Sequence, residues 1–178
     1  MAKYSAATIE RLLDACDNAV TADEKGACLE ELGTYLFGRI PGVSLAERNV
    51  LDGPRAHELD LAFWNPQNRS ALGFLDAVLI VECKASGRPV GSQQVGWLIR
   101  KLQDRGSLHG VMIALNGITG NADGVSNAHN EVLSALLRDR IKILVVTGSE
   151  LASLQSTDDL VALLKGKLLQ LVLYRTVG

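Results

Sequence analysis

The sequence predicts an α/β domain in which a mixed central sheet is flanked by helices. Strand-sized apolar runs alternate with segments of helical periodicity along most of the chain, which is the order typical of an α/β sheet. The 178 residues are also 47% hydrophobic and 21% charged, enough apolar residues for one buried core. We therefore expect residues 1–178 to form one domain, with its core at about residues 22–155.

Two helices are predicted at the start of the chain. Thr21, followed three residues later by Glu24, predicts a capping box that opens the second helix. That helix is expected to end at about Phe37, because Gly38 and a Pro-Gly pair beyond it are stop signals. The first helix is predicted from apolar residues that recur at helical spacing, namely Ile9, Leu12, Leu13, Cys16 and Val20.

Three strands are predicted next. Residues 43–51 and 58–64 both alternate with period two, and an Asp-Gly-Pro turn separates them. We expect these two segments to be adjacent antiparallel strands. A polar turn at residues 65–70 then leads to a third strand at residues 77–84, which completes a meander.

Helices and strands alternate in the rest of the chain. An apolar stripe predicts a helix that ends at Gly106, and a strand follows at residues 110–115. A helix at residues 126–138, a strand at 141–146 and helical turns at 149–167 complete the order. The predicted arrangement is an αβββαβ core with an added C-terminal αβα unit.

Charge and hydropathy exclude several classes of protein. The net charge of -2 gives little attraction for nucleic acid, since counterion release needs several Lys or Arg side chains facing phosphates. Any nucleic-acid contact must then come from a local patch or a partner. No apolar run approaches the roughly 20 residues of a membrane span, and the first residues lack the apolar region of a secretory signal. We expect a cytoplasmic protein without a membrane partner, whose three cysteines are reduced thiols.

The end of the third strand carries the main functional signal. Glu82 and Lys84 are two residues apart and share a strand face, while Cys83 points the other way. If strand 58–64 lies alongside, Asp60 can converge with Glu82. Two carboxylates at neighbouring strand ends can hold Mg2+, and a lysine beside them would offset the charge of a phosphate. The alternative for these residues is a solvated strand end with weak ion pairs.

This set of features resembles the PD-(D/E)XK nuclease superfamily, in particular an Mrr-type restriction endonuclease domain. The shared features are a helix, antiparallel strands with an Asp, Glu-x-Lys on the next strand, and a helix that begins in Gln. The resemblance covers residues 25–154 and implies a restriction-endonuclease-like fold. Leu59 precedes Asp60 where the nominal motif has proline. In the second helix, the site glutamate of such nucleases corresponds to Glu30, with Glu31 as the alternative.

The resemblance also implies a role for each site residue. Asp60 and Glu82 are metal ligands, with the backbone carbonyl of Cys83 as a third. Lys84 would position or activate the attacking water and stabilise charge on the phosphoryl oxygens. Gln93 begins a segment similar to a Gln-x-x-x-aromatic signature; its alternative is a solvated residue in the first helical turn. Mg2+ is the expected cofactor, with Mn2+ as the alternative, and the implied catalytic residues are Glu30, Asp60, Glu82, Lys84 and Gln93.

The function implied by the resemblance is a Mg2+-dependent endodeoxyribonuclease in restriction or another anti-phage defence. With so little positive charge, the domain is expected to need homodimerisation or a separate targeting subunit to hold DNA. Residues 160–174, rich in Leu and Val, are either an oligomer interface or a segment that closes the core. Two other hypotheses stand beside this one: a catalytically silent binding or scaffold module of the same fold, and a nuclease specific for RNA or DNA junctions.

Three further features give weaker signals. The glycine-punctuated turn at residues 116–120 is similar to a Gly-x-Thr turn of Mrr-type domains, although an ordinary turn explains it as well. Arg100, Lys101 and Arg105 form either a local basic patch or a solvated helix face. Asp76, just before the key strand, is the alternative carboxylate, although its strand parity differs.

Overall fold

A five-stranded mixed sheet forms the centre of the computed structural model, which describes residues 2–51, 58–120 and 128–177. The strands lie side by side in sequence order. The first three pair antiparallel and the last three pair parallel, which confirms the predicted mixed sheet and its opening meander. The strands are β1 Ser44–Leu51, β2 Glu58–Trp64, β3 Val78–Lys84, β4 His109–Ala114 and β5 Lys142–Val146.

Helices flank this sheet. The predicted capping box is confirmed, because the Thr21 hydroxyl accepts a bond from the Glu24 amide at 3.2 Å and the Glu24 carboxylate accepts one from the Thr21 amide at 3.0 Å. The helical turns predicted at residues 149–167 are two separate helices, because Ser156 caps a new one with its own capping box. A π-helical segment, Gln170–Tyr174, continues the last helix. The helices are α1 Ala6–Asn18, α2 Ala22–Phe37, α3 Ser92–Gln103, α4 Ala128–Asp139, α5 Gly148–Ala152 and α6 Thr157–Leu169.

The two faces of the sheet carry separate apolar cores. On one face, alternate β3 residues such as Leu79 pack with α1, α2 and α6. On the other face, Ile80 packs with α3 and α4. Because side chains alternate along a strand, Glu82 and Lys84 share the face of Ile80, whereas Cys83 belongs to the α2 face. The charged end of β3 therefore lies against α3.

Strand β1 is an edge strand that is solvent-exposed along most of both faces. Its predicted antiparallel neighbour β2 is confirmed, but its period-two sequence does not correspond to a buried face. An edge strand has one partner only, and the pairing of β1 is interrupted by a register shift between Leu45 and Glu47. The Asp-Gly-Pro turn predicted between β1 and β2 lies outside the described residues.

Gly33 of helix α2 faces the sheet and has little free space around it. A Cβ atom at this position would stand 2.8 Å from Cδ1 of Leu61, nearer than carbon atoms pack. The absence of a side chain therefore allows the helix to approach β2 and β3. Glu30 lies about one turn earlier on α2 and lines a cavity together with Asp60.

Within the described ranges, no helix has both the length and the apolar character that a bilayer span requires.

Candidate active site

The site lies where β2 and β3 separate at the carboxyl end of β3. Leu61 and Val81 are the last paired residues towards this end. Continuing the antiparallel register by one step sets Asp60 opposite Glu82. Both carboxylates contact the Lys84 ammonium, at 3.5 Å for Asp60 and 2.8 Å for Glu82. The structure thus brings together the three residues that the sequence analysis grouped.

Asp60 inserts its side chain into the gap between the strands. Its Oδ2 accepts a hydrogen bond of 2.7 Å from the backbone N–H of Cys83. Burial raises the pKa of Asp60, and the negative charge of Glu82 raises it further; the Lys84 ammonium and the Cys83 amide oppose this shift without cancelling it. The ionised form of Asp60 is therefore disfavoured by burial and by Glu82, and a bound cation would stabilise that form.

Glu82 is the most deeply buried charged group of the site, with a side chain only 3% exposed. Two ammonium groups compensate its carboxylate. The Nζ atom of Lys101 lies 2.8 Å from Oε1 and 2.7 Å from Oε2, and the Nζ atom of Lys84 lies 2.8 Å from Oε1. A carboxylate is stable in such a position only when it is paired and hydrogen-bonded, which both lysines provide.

Lys84 is held as a cation by its two acidic neighbours. Burial alone would lower the pKa of this ammonium, but the nearby charges of Glu82 and Asp60 outweigh burial and raise the pKa above its ordinary value. The group therefore stays protonated at neutral pH. A protonated lysine donates hydrogen bonds and stabilises negative charge, so the geometry favours this electrostatic role over that of a proton acceptor.

Cys83 can contribute its backbone to the site but not its thiol. The thiol is buried on the α2 face, and burial, with Asp60 and Glu30 nearby, raises its pKa well above the ordinary value, so the thiol is neutral. In an antiparallel ladder, the N–H and C=O groups of one residue point to the same side. Since the N–H of Cys83 bonds Asp60, its carbonyl also points towards β2, where the ladder opens.

Of the two glutamates proposed on α2, the structure places Glu30 at the site. Glu30 is 8% exposed, whereas Glu31 faces solvent. The Oε2 atom of Glu30 pairs with Nε of Arg48 on β1 at 2.8 Å. Glu30 lines the same cavity as Asp60. It approaches from the α2 face of the sheet, whereas Glu82 lies on the α3 face.

On α3, Gln94 and not Gln93 lies against the two cavities of the site. Gln93 is exposed in the first turn and lies outside the walls of the two cavities at this site. This placement corresponds to the alternative of a solvated residue. Gln94 is half-buried and lines both cavities. The reason is helix geometry: each residue turns by about 100°, and the buried Val95 and Leu98 fix the rotation that aims Gln94 at the site.

Lys101 is the site residue that the sequence analysis assigned to a basic patch or a solvated helix face. Its neighbour Arg100 is indeed exposed. Lys101 itself is only 9% exposed and pairs with Glu82. It lies seven residues after Gln94, two turns along the same line of α3. That spacing was the sequence signal that could have placed Lys101 at the site.

Two adjoining cavities open on these groups. The larger, of about 690 Å³, extends towards α2 and includes Glu30 in its wall. The smaller, of about 460 Å³, lies between β3 and α3, where Trp97 is 54% exposed. Both volumes fall in the range of pockets that hold small-molecule ligands. The side chains that line both cavities are Glu58, Asp60, Lys84 and Gln94.

The donor atoms of the site fit a hard divalent cation. The carboxylates of Asp60 and Glu82 and the carbonyl of Cys83 offer oxygen ligands, which Mg2+ prefers together with water and phosphate oxygens. The described part of the chain holds no cluster of three or more His, Cys, Asp or Glu side chains suited to a metal.

The remaining sequence candidates lie away from these groups. Asp76 is at the opposite end of the sheet, where His109 pairs with it at 2.7 Å. The turn at residues 116–120 is tied to the loop before α3, because the N–H and the C=O of Val90 both bond it at 2.8 Å. This turn therefore has an ordinary structural explanation.

Fold and site together define a restriction-endonuclease-like nuclease domain: a mixed sheet whose central strands end in two carboxylates and a lysine, beside a helical glutamate. The chain belongs to the Mrr_cat restriction endonuclease family, whose model matches residues 29–154. The match includes every site residue described above, and domains of this kind generally use divalent metals. A search of curated proteins and a search of solved structures each gave no match.

Proposed function

We propose that this domain is an endodeoxyribonuclease that depends on Mg2+, with Mn2+ as the alternative. The observation that carries the proposal is the convergence of Asp60, Glu82 and Lys84 at an open cavity, where burial and Glu82 raise the pKa of Asp60. Membership of the restriction endonuclease family supports phosphodiester hydrolysis as the reaction. A purely structural ion-pair cluster would not need a cavity large enough for a ligand.

Asp60, Glu82 and the carbonyl of Cys83 would hold the metal. When bound, it supplies a Lewis acid for the phosphate and lowers the pKa of a water molecule. The ammonium of Lys84 would donate hydrogen bonds to the non-bridging phosphoryl oxygens, where negative charge grows in the transition state. In the hydrolysis, a water oxygen bonds to phosphorus while the bond to the leaving nucleotide oxygen breaks, and that oxygen gains a proton.

Glu30 and Gln94 would position the substrate and the attacking water. Glu30 lines the larger cavity, and its pairing with Arg48 fixes its side chain there. An oriented carboxylate can accept a hydrogen bond from water. Gln94 takes the place proposed for Gln93, since its amide lines both cavities and can donate to a phosphate oxygen.

The proposed substrate is DNA, and the proposed role is restriction or another anti-phage defence. A net charge of -2 gives weak attraction for DNA, which supports a homodimer or a separate targeting subunit. Within residues 160–174, Leu160 and Leu164 are buried and close the core, which was one of the two predicted alternatives. Several later side chains of this segment are exposed. A single domain over residues 1–178 with a core at 22–155, and a cytoplasmic location, remain predictions. Within residues 160–174, the exposed apolar side chains available to a partner are Leu169, Val172, Leu173 and Tyr174.

The test is cleavage of supercoiled and linear DNA by the purified protein with Mg2+, Mn2+ or EDTA. Glu82→Gln and Lys84→Met should each remove metal-dependent cleavage. Glu31→Gln is the matched control, because this glutamate lies on α2 but faces solvent. A folded protein that cuts nothing with either metal would favour the binding module. Cleavage of RNA or branched DNA without cleavage of duplex DNA would assign the alternative substrate.

A further inference from the structure

Lys101 is a buried lysine whose ammonium the proposed chemistry does not yet use. It projects from α3 into the smaller cavity, on the line of the helix that also carries Gln94. Its Nζ atom lies within 2.8 Å of both oxygens of Glu82. Burying an ammonium is costly, and a methionine of similar length would fill the same space without a charge. The position of this charge therefore calls for an explanation.

The hydrogen bonds of Glu82 limit how many cations it can bind. A carboxylate offers about four lone-pair positions on its two oxygens. Lys101 occupies one on each oxygen, and Lys84 occupies a second one on Oε1. One position, on Oε2, is left for a metal ion. Glu82 can therefore ligate a single cation, but it cannot bridge two while both lysines remain in place.

The charge of the site leads to the same limit. Among the four side chains in contact here, the two negative charges of Asp60 and Glu82 are matched in number by the positive charges of Lys84 and Lys101. One divalent cation would make this group doubly positive, which suits a phosphodiester. A second divalent cation would double that excess between side chains only a few ångströms apart.

We infer that Lys101 is a positioning residue that stands in place of a second divalent cation, so that the site takes one metal ion for each chain. Its ammonium orients the Glu82 carboxylate towards that metal and supplies a fixed positive charge beside the phosphate. This inference rests on the proposed nuclease function and deepens it. A lysine that served only to stabilise the fold would not control the number or the affinity of bound metal ions.

The experiment is isothermal titration of the full chain with Mn2+, without DNA, alongside Mn2+-supported cleavage. The wild type should bind one Mn2+ for each chain. Lys101→Met should bind Mn2+ about tenfold more tightly, or take a second ion, because a competing cation is gone. Its cleavage rate should nevertheless fall, since Glu82 has lost its orientation. Tighter metal binding together with slower cleavage is a combination that a structural role would not produce.

Two other variants keep the result interpretable. Lys101→Arg retains the charge and should keep one Mn2+ for each chain, and it also serves if Lys101→Met does not fold. Arg100→Met removes an exposed positive charge next along α3 and should leave both the number and the affinity of bound ions unchanged.

Two results would overturn the inference while leaving the nuclease proposal intact: two Mn2+ ions bound to an active wild type, or weaker Mn2+ binding in Lys101→Met. A wild-type chain that neither binds Mn2+ nor cleaves DNA would overturn the nuclease proposal and this inference together.

Discussion

Asp76 and Asp60 are two partly buried carboxylates at opposite ends of the same sheet, and their surroundings shift their pKa values in opposite directions. Asp76 Oδ2 accepts backbone N–H bonds from Leu108 at 2.7 Å and from His109 at 3.0 Å, while its Oδ1 contacts the His109 ring at 2.7 Å. Burial alone would raise the pKa of Asp76, but these hydrogen bonds outweigh burial and lower the pKa below its ordinary value. The protein therefore supplies hydrogen-bond partners to both carboxylate oxygens of Asp76.

Asp60 has fewer donors. It accepts one amide bond, from Cys83, and its lysine partner is 3.5 Å away and closer to Glu82. Burial and the Glu82 charge therefore prevail, and the pKa of Asp60 is raised. The comparison separates a carboxylate that stabilises the fold from one that is suited to a ligand. The carboxyl ends of parallel strands, where the Asp60 group lies, are also where α/β sheets bind ligands.

The largest expected effect is on catalysis. Asp60→Asn keeps the shape of the side chain and an acceptor for the Cys83 amide, but removes the charge proposed to bind metal. We expect cleavage to fall by about 10²–10³-fold or more, the loss typical when one preorganised electrostatic group is removed. Asp76→Asn should cut DNA at close to the wild-type rate when both proteins are assayed well below their melting temperatures. Equal losses in the two variants would contradict the division of roles.

The next effect concerns stability and has the opposite order. Asp76→Asn replaces charge-assisted hydrogen bonds and leaves two backbone amides with a weaker acceptor, so the free energy of unfolding should fall by roughly 1–3 kcal/mol. Asp60→Asn should leave the metal-free protein as stable as the wild type or more stable, because it removes an under-compensated charge. Urea unfolding in EDTA measures both. Destabilisation by Asp60→Asn equal to that by Asp76→Asn would show that the two carboxylates are alike.

The same two residues show what the sequence could predict. Strand parity and strand order sufficed to group Asp60 with Glu82 and Lys84, because the period of two and the antiparallel register are local rules. The donors of Asp76, in contrast, come from residues 32 and 33 positions later in the chain, across a parallel pairing that no local pattern specifies.

The rotation of α3 is a second limit on prediction. Which of its residues faces the site depends on how its apolar stripe settles against the sheet, and neighbouring residues differ by about 100°. The sequence therefore allowed Gln93 and Gln94 equally well, and it allowed Lys101 to be read as a surface residue. The edge position of β1 likewise depends on the whole sheet, so the alternation in its sequence did not reveal its exposure.

A smaller effect is the pH dependence of stability in EDTA. The raised pKa of folded Asp60 means that its contribution to stability is complete below the ordinary value of 3.8 and is lost as the pH rises through the folded value. The free energy of unfolding of Asp60→Asn should therefore increase relative to that of the wild type as the pH rises above 3.8.

The lowered pKa of Asp76 acts with the opposite sign: its stabilisation is present above 3.8 and is lost as the pH falls through the folded value. The free energy of unfolding of Asp76→Asn should therefore decrease relative to that of the wild type as the pH rises towards 3.8. Parallel pH profiles for the two variants would contradict the opposite shifts.

The smallest effect is spectroscopic, and it tests the comparison without catalysis. The chain has two tryptophans, and Trp97 lines the cavity that contains Asp60 and Glu82. In a Trp64→Phe background, Trp97 alone would report on that cavity, so its fluorescence should change on addition of Mg2+. Asp60→Asn should remove this response, because the metal loses a ligand, while Asp76→Asn should retain it, because Asp76 lies at the far end of the sheet. If the fluorescence change persists in Asp60→Asn, the cation binds near Trp97 without this carboxylate. The proposed difference between Asp60, as a metal ligand, and Asp76 would then be wrong.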